Sequence, residues 1–298
     1  MKKTIKNFFK KIAEHVNELI YKFLKKRLYP LFENDVLNTI SKSVSVIDAN
    51  RTLEEIENYI LNEKIGVYLR FGDGDIFILK NRNDSFQVHS LFIAKEMEES
   101  FLMQGQNVFK CLAIHSDYFG YSEGMKYGNH KNYDSFALKL FKDTFMYFIG
   151  SKIYSPVALH YTATINPERA NVFLKILKSK TRIFVGNEET DPELVKLLFG
   201  ESTIHIKTPS KNAYSQIDRI ENEALIAISK TNDFTVICVA MGCAGRPFMK
   251  RIWNKNVNAF LFDFGSLLDG ISGNNSRTWL KMNNINYELL LNGLDKIK

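Results

Sequence analysis

The sequence predicts an α/β protein with a Rossmann-like, mostly parallel β-sheet, helices on both sheet faces and an N-terminal amphipathic helix. Three observations predict this class. Apolar runs with strand character alternate along the chain with segments of helical periodicity. Several strand segments are almost continuously apolar, as expected of strands covered on both sides. The 298 residues are 45% hydrophobic and 24% charged, which suffices for a large core and excludes disordered, collagen-like and coiled-coil chains.

The first 30 residues predict an amphipathic helix that binds an anionic membrane surface. Apolar residues recur there at steps of three and four, and Pro30 marks the end. This arm carries nine Lys or Arg and two Glu, whereas the rest of the chain carries 31 basic and 31 acidic side chains. Such a helix lies in membrane interfaces, although packing against the domain or a second subunit, and a mobile arm, are the alternatives. Because the body is formally neutral, we expect no nucleic-acid partner.

The body of the chain predicts a single domain over residues 51–298, after an arm and linker over residues 1–50. Strands are predicted from β-branched and aromatic runs at 65–71, 108–115, 182–185, 203–206, 234–240 and 259–264. Helices are predicted from their apolar periodicity at 53–63, 91–104, 133–148, 167–178, 192–199, 213–229 and 247–253.

Cysteine content predicts a cytoplasmic protein, and the basic arm adds the expectation that it is peripheral at the inner face of the cell membrane. The three cysteines are an odd number, lie in apolar sequence and match no zinc pattern: Cys111, Cys238 and Cys243. Lysines interrupt the apolar stretch of the arm, which argues against a signal peptide. No run reaches the roughly 18 apolar residues that a membrane-spanning helix needs.

The most informative motif follows the first predicted strand of the body, where residues 70–75 read Arg-Phe-Gly-Asp-Gly-Asp. Open α/β sheets bind ligands just past the carboxyl ends of their strands, and glycines let the backbone approach a ligand closely. Asp73 and Asp75 can present oxygens to Mg²⁺ or Mn²⁺, and Arg70 can pair with a phosphate or with one of the acids. The alternative is a solvated turn in which Asp75 caps the next helix.

Three further stretches lie between a predicted strand and a predicted helix. At 208–214, Ser210 or Asn212 can cap a helix whose N-terminus binds an anion, and Lys211 stands beside it. At 240–247, small residues around Gly242 leave backbone N–H groups for a pyrophosphate. Asp269 follows the last strand and can act as a base. Each stretch also fits a plain structural role, as a capped helix, a tight turn or a loop acid.

These four stretches, in this order, resemble the GT-D-fold glycosyltransferases, bacterial surface-glycan enzymes once catalogued as a domain of unknown function. The resemblance is most specific at 70–75, and elements at 209–213 and 263–265 support it. It implies a nucleotide-sugar donor, usually a UDP-sugar, and Mn²⁺ or Mg²⁺ held by Asp73 and Asp75. It leads us to expect catalytic roles for Asp75 and Asp269, and donor contacts from Arg70, Gly72, Asp73, Lys211, Asn212 and Gly242.

The predicted function is therefore a metal-dependent glycosyltransferase that moves a sugar to a glycan or lipid-linked glycan acceptor in bacterial surface polysaccharide or glycoprotein synthesis. Two other functions stay open at this point: a non-catalytic docking subunit of a glycan assembly complex, and a Mg²⁺-dependent phosphate-ester hydrolase. The intact pair of acids speaks against the docking subunit. Phe77 stands where haloacid-dehalogenase-type phosphatases carry Thr or Val, which speaks against the hydrolase. A homo-oligomer also stays open.

Overall fold

The computed structural model describes residues 44–112, 148, 150–231, 233–274 and 277–296. The predicted N-terminal helix, and the predicted helix at 133–148 apart from Phe148, lie outside these residues and stay predictions. The chain divides by its internal contacts into two units, Met1–Val44 and Ser45–Lys298. The second unit contains the sheet.

The described part of the chain contains eight strands: β1 Ser45–Val46, β2 Gly66–Phe71, β3 Val108–Leu112, β4 Lys152–Ile153, β5 Thr181–Asn187, β6 Ile204–Thr208, β7 Thr235–Ala240 and β8 Ala259–Asp263. Six of them form the central sheet in the order β3-β2-β8-β7-β5-β6, and every pairing is parallel. The two-residue strands β1 and β4 pair with each other in a small parallel sheet. The predicted α/β class and parallel sheet are confirmed.

All six predicted strands correspond to strands of the central sheet. The large apolar residues of five of these strands are buried, and in β8 all five residues are buried, whereas Ile204 of the edge strand β6 is 40% exposed. The small sheet was not predicted, because two residues are too short for a periodic pattern. Its first strand and the start of the following helix fall within the predicted arm and linker; the predicted domain boundaries otherwise stay predictions.

Helices connect the strands: α1 Ala49–Leu61, α2 Asp73–Leu79, α3 Leu91–Phe101, α4 Ala158–Ile165, α5 Pro167–Lys180, α6 Pro192–Phe199, α7 Ile217–Ser229, α8 Gly245–Trp253, α9 Leu267–Ile271, α10 Thr278–Met282 and α11 Tyr287–Leu291. Short 3₁₀ turns lie at Ala213–Gln216, Gly242–Ala244 and Leu294–Lys296. Asp48, Ser90 and Asn166 cap α1, α3 and α5 through side-chain oxygens, which explains why these helices begin where they do.

Helices cover both faces of the sheet. Val236 and Cys238 of β7 belong to the core cluster that contains Phe173 of α5. Val239 points the opposite way, since side chains alternate along a strand, and a Cβ on Gly245 of α8 would lie 3.4 Å from its Cγ1. The sheet is therefore buried on both sides, as its nearly continuous apolar strands predict. Among the described residues, no helix combines the length and hydropathy needed to cross a bilayer.

Candidate functional site

A cleft of about 730 Å³ opens where β2, β5, β7 and β8 end. Parallel strands place their carboxyl ends at one edge of the sheet, which is where α/β proteins bind ligands. Six of the predicted site residues line this cleft: Arg70, Gly72, Asp73, Asp75, Gly242 and Asp269. Lys211 and Asn212 are not among its lining residues. The sheet therefore brings together residues that are up to 199 positions apart in the sequence (Arg70 to Asp269).

The two acids of the 70–75 motif occupy different environments at the start of α2. Asp75, the third residue of the helix, is 1% exposed, and its Oδ2 accepts a hydrogen bond of 2.8 Å from the backbone N–H of Gly72. It therefore satisfies the helix N-terminus from the third position rather than as the N-cap. Asp73 is exposed, and its Oδ1 accepts from the N–H of Gly74 at 3.0 Å. Asp73 is thus the acid that is accessible from the cleft.

Four charged side chains that line the cleft form a buried charge cluster: Arg70, Asp75, Arg246 and Asp263. Arg246 joins the two acids, with Nη2 3.1 Å from Asp75 Oδ2 and Nη1 2.9 Å from Asp263 Oδ2. Arg70 Nη1 lies 3.5 Å from Asp263 Oδ1. Each of these side chains is at most 13% exposed. Two positive and two negative charges make the cluster neutral as a unit, which offsets the cost of burying them.

One oxygen of Asp75 has no partner within the described structure. Oδ2 is shared between Gly72 and Arg246, whereas Oδ1 is buried without a hydrogen bond. Burial raises the pKa of Asp75 to about 6, although the charge of Arg246 opposes this. A buried carboxylate oxygen without a partner is costly, so this atom is suited to receive a cation or a proton from a ligand.

Gly265 is required for the position of Arg70. Its φ of +66° lies in the left-handed region, and a Cβ built there would lie 1.5 Å from Arg70 Nη1. Arg70 is further fixed by donation from Nε to the carbonyl oxygen of Pro156. The turn after β8 therefore leaves the space that the guanidinium occupies.

Substituting Gly265 by alanine is expected to destabilise the protein and to displace Arg70. Gly273→Ala is the matched control, because Gly273 has a φ of +80° but no atom within 4 Å of the position that a Cβ would take. Left-handed strain costs about 1–2 kcal/mol in both variants, and the clash adds to it only in Gly265→Ala. Chemical denaturation checks this: equal losses of unfolding free energy in the two variants would contradict the crowding at Arg70.

Asp269 lies on another wall of the cleft, in α9. Its Oδ2 accepts a hydrogen bond of 2.9 Å from Nε of Arg277, whose guanidinium lies 5.1 Å from the ring centroid of Phe86. Phe86 also lines the cleft. The predicted base is therefore oriented by an arginine, and its second oxygen accepts no hydrogen bond among those described.

Ser266 and His160 form a polar pair at the cleft that the sequence did not reveal as a site. Trp279 Nε1 donates to Ser266 Oγ at 3.1 Å, and His160 Nε2 lies 3.3 Å from the same oxygen. Burial, together with Arg70 and Arg277, lowers the pKa of His160 well below its usual range, so the imidazole is neutral at pH 7. The indole can only donate, and the orientation of the serine hydroxyl is therefore set by its two ring partners.

Lys211 and Asn212 lie beyond β6, at the edge of the sheet. Lys211 is exposed. Asn212 has the N-cap position of a 3₁₀ turn but makes no capping hydrogen bond there, so the capping predicted for Asn212 is wrong. Its Oδ1 instead accepts from the N–H of Val88 at 2.8 Å, and its own N–H donates to the carbonyl oxygen of Phe86 at 2.8 Å. Asn212 therefore braces the loop that carries Phe86, while its role in donor binding stays a prediction.

Arg246 and Asp263 were not predicted as site residues, although each carried a sequence signal. Arg246 is the second residue of α8, where the helix dipole disfavours a cation. A cation at that position indicates an acidic partner nearby, and the structure supplies two. Asp263 ends a fully buried strand, which is unfavourable for a carboxylate unless a cation compensates it.

Comparisons with known proteins identify relatives of this fold. The family model described as glycosyltransferase GT-D fold matches residues 68–266. A selenomethionine-substituted structure of domain of unknown function 1792 is similar, with 18% identity, a TM-score of 0.61 and coverage of 88% of this chain and 93% of that chain. A glycosyltransferase with the same domain from Streptococcus sanguinis has 18% identity, a TM-score of 0.60 and coverage of 83% and 92%. No curated protein matches the sequence.

Proposed function

Since the chain belongs to the glycosyltransferase GT-D fold family, we propose that this glycosyltransferase moves a sugar from a nucleoside-diphosphate sugar, a UDP-sugar by family resemblance, to a glycan or lipid-linked glycan. The setting that we propose is bacterial surface polysaccharide or glycoprotein synthesis at the inner face of the cell membrane. The observation that carries the donor assignment is the pair of acids at the end of β2, one exposed and one with an oxygen that lacks a partner.

The size and position of the cleft support a nucleotide-sugar ligand. Its volume of about 730 Å³ falls within the roughly 300–1,000 Å³ of small-molecule sites. Three regions meet there: the acids of α2, the Gly242 turn before α8, and Asp269 with Ser266 after β8. Gly242 has a φ of +56° and no atom within 4 Å of where a Cβ would be, so a ligand can approach its backbone. A donor and an acceptor sugar can thus be held by different walls.

A divalent cation fits the residues present. No group of three or more His, Cys, Asp or Glu in the described part of the chain forms a metal site, so the ligand's phosphates would have to complete the shell. Asp73 and the unpartnered Oδ1 of Asp75 are the carboxylate oxygens that would hold Mn²⁺ or Mg²⁺. When bound, the cation supplies charge stabilisation for the leaving diphosphate. Arg246 keeps Asp75 in place, and Arg70 adds positive charge to the same wall.

Asp269 is the residue that we propose as the acceptor's base. Arg277 fixes one of its oxygens, which leaves the other for the proton of the acceptor hydroxyl at the moment of transfer. Ser266, held by Trp279 and His160, offers a hydroxyl group that can orient the acceptor in the same part of the cleft.

Replacing Asp269 by asparagine is expected to lower transfer about 10²-fold and to leave donor binding nearly unchanged, since general-base catalysis is lost without loss of shape. Steady-state transfer and calorimetric donor binding check the two parts. Asp233→Asn, an exposed acid outside the cleft, is the matched control and should behave like the wild type. Wild-type transfer by Asp269→Asn would remove it from the mechanism.

The basic arm over residues 1–30 is proposed to bind anionic membrane. Its surplus of seven positive charges on a predicted amphipathic helix supports this, and electrostatic binding of that kind weakens as salt screens it. Membrane binding by the arm would bring the enzyme to the surface where lipid-linked acceptors are found.

A thermal-shift panel of nucleotide sugars, with and without Mn²⁺, tests the proposed function. A metal-dependent increase in Tm with one nucleoside-diphosphate sugar, followed by transfer of its sugar, is the expected result. Turnover of a generic phosphate ester would favour the hydrolase instead. Absence of any nucleotide effect would favour the docking subunit.

A further inference from the structure

The loop between α2 and α3, together with the first turn of α3, exposes a group of large apolar side chains beside the cleft. These residues, which we call the apolar rim, are Phe86, Val88, Leu91 and Phe92, with exposures of 44%, 55%, 77% and 77%. Single exposed apolar residues are common on soluble proteins, but four within seven positions form a patch, and such patches mark interaction surfaces.

The exposure of the apolar rim is fixed by the structure of the loop. Gln87, between two rim residues, is buried and its Oε1 accepts from the N–H of Tyr214 at 3.2 Å. Asn212 holds the backbone of both neighbours, as described above. The side-chain amide of Gln87 therefore points inwards and the apolar side chains point outwards. A loop that faces only water is expected to have the reverse arrangement. This inversion indicates a partner for the outer face.

The charges near the apolar rim favour an anionic partner. Residues 80–95 contain three Lys or Arg and one acid, Asp84, whose Oδ2 accepts from the N–H of Phe86 at 3.1 Å. Arg82 and Lys95 are exposed and form no salt bridge with another described residue. Aromatic and aliphatic side chains next to Lys and Arg are the combination that lies in the interface of anionic membranes.

Acidic residues further along α3 do not reverse this charge. Glu96 is paired with Arg251, with 2.7 Å between Oε1 and Nη2, and Glu99 is paired with Lys250. Glu98 is exposed and lies about two helical turns beyond Leu91. Arg82 and the apolar rim therefore lie in the loop before α3 and at its first turn, whereas the acids of α3 follow further along the helix.

We propose that the apolar rim docks on the surface of an anionic lipid bilayer and places the mouth of the cleft there. Phe86 belongs both to the rim and to the cleft wall, so a docked rim brings the cleft to the lipid surface. Docking of the rim extends the proposed function, because it specifies a lipid-linked acceptor. Only the choice of acceptor rests on the proposed function, and the docking itself does not. A second copy of the chain is a poorer occupant, because a symmetric contact would bring like charges together.

A fluorescent label on the rim of the full chain tests the docking and separates it from binding by the arm. All three native cysteines are buried, so Phe92→Cys offers a single accessible thiol for a nitrobenzoxadiazole label. Val172→Cys, at an exposed apolar position of α5, is the matched control. We expect vesicles of phosphatidylglycerol and phosphatidylcholine in equal parts to shift the emission of the label at residue 92 to the blue and not that at residue 172.

Other outcomes of this experiment overturn the proposal. Vesicle binding without a shift at residue 92 would mean that the arm binds alone. A shift that depends on protein concentration and needs no vesicles would mean that a second copy covers the rim. A shift of equal size with phosphatidylcholine alone would remove the role of the basic residues.

Polar substitution of the rim provides an independent measurement. Leu91→Ser with Phe92→Ser is expected to weaken binding to the anionic vesicles about tenfold or more, because about 1.4 kcal/mol of apolar burial corresponds to that factor. Val172→Ser with Ile226→Ser removes exposed apolar side chains elsewhere and should leave binding unchanged. Unchanged vesicle binding by the rim variant would overturn the docking. Both variants should match the wild type in Tm and in transfer to a water-soluble acceptor. If the wild type itself transfers no sugar, that result counts against the proposed function and not against the docking.

Discussion

Replacing Arg246 by methionine is expected to lower the free energy of unfolding by about 3–5 kcal/mol, the cost of leaving buried carboxylates without their cation. Arg246 is the side chain that joins Asp75 to Asp263, and both acids are almost fully buried. Methionine keeps much of the volume but none of the charge. Urea denaturation of the variant and the wild type measures the difference.

Two further variants show whether charge is the cause. In Arg246→Met with Asp75→Asn, the remaining Asp263 still faces Arg70, so this double variant should be more stable than Arg246→Met alone. Arg219→Met removes an exposed arginine that pairs with Glu223, and it should cost at most about 1 kcal/mol. If Arg246→Met lowers the free energy of unfolding no more than Arg219→Met does, Arg246 does not stabilise the two buried acids.

Asp73→Asn is expected to reduce sugar transfer about 10³-fold, as expected when a group that stabilises charge in the transition state is removed. Asp73 is exposed, and asparagine can still accept from the N–H of Gly74. The unfolding free energy should therefore change by less than about 1 kcal/mol. Initial transfer rates, measured over a series of Mn²⁺ concentrations, together with urea denaturation check both statements.

Asp73→Glu is the matched variant for Asp73→Asn, since it keeps the carboxylate and adds one methylene. It should retain more transfer than Asp73→Asn and require more Mn²⁺ for it. Equal activity of the wild type and Asp73→Asn at all Mn²⁺ concentrations would remove Asp73 from cation binding.

Local patterns were sufficient to predict the central sheet and six of the residues that line the cleft. Six apolar runs correspond to six strands, and motifs at strand ends placed Asp73, Gly242 and Asp269 at one edge, because parallel strands end together. The helix predicted at 53–63 begins earlier, at Ala49, because Asp48 caps it before the apolar stripe starts.

Contacts between distant segments could not be predicted in this way. Asp75 reads as a turn acid in the sequence, yet it is buried through a partner 171 positions away, Arg246. Asn212 reads as a helix cap, yet its side chain binds a loop 124 positions earlier. Both contacts depend on the strand order of the whole sheet, in which β8 separates β2 from β7 and three strands separate β2 from β6, and periodicity does not encode that order.

Calorimetry of UDP binding, with Mn²⁺ and with a chelator, tests most directly whether the acids after β2 bind a donor diphosphate through a cation. We expect the chelator to weaken UDP binding to the wild type at least about tenfold, since two carboxylates and a diphosphate repel each other without a bridging cation. We also expect Asp73→Asn and Asp75→Asn each to lose the part of the UDP affinity that depends on Mn²⁺. Equal UDP binding with Mn²⁺ and with the chelator, or full metal-dependent UDP affinity in both variants, would contradict cation-mediated binding of the donor by these acids.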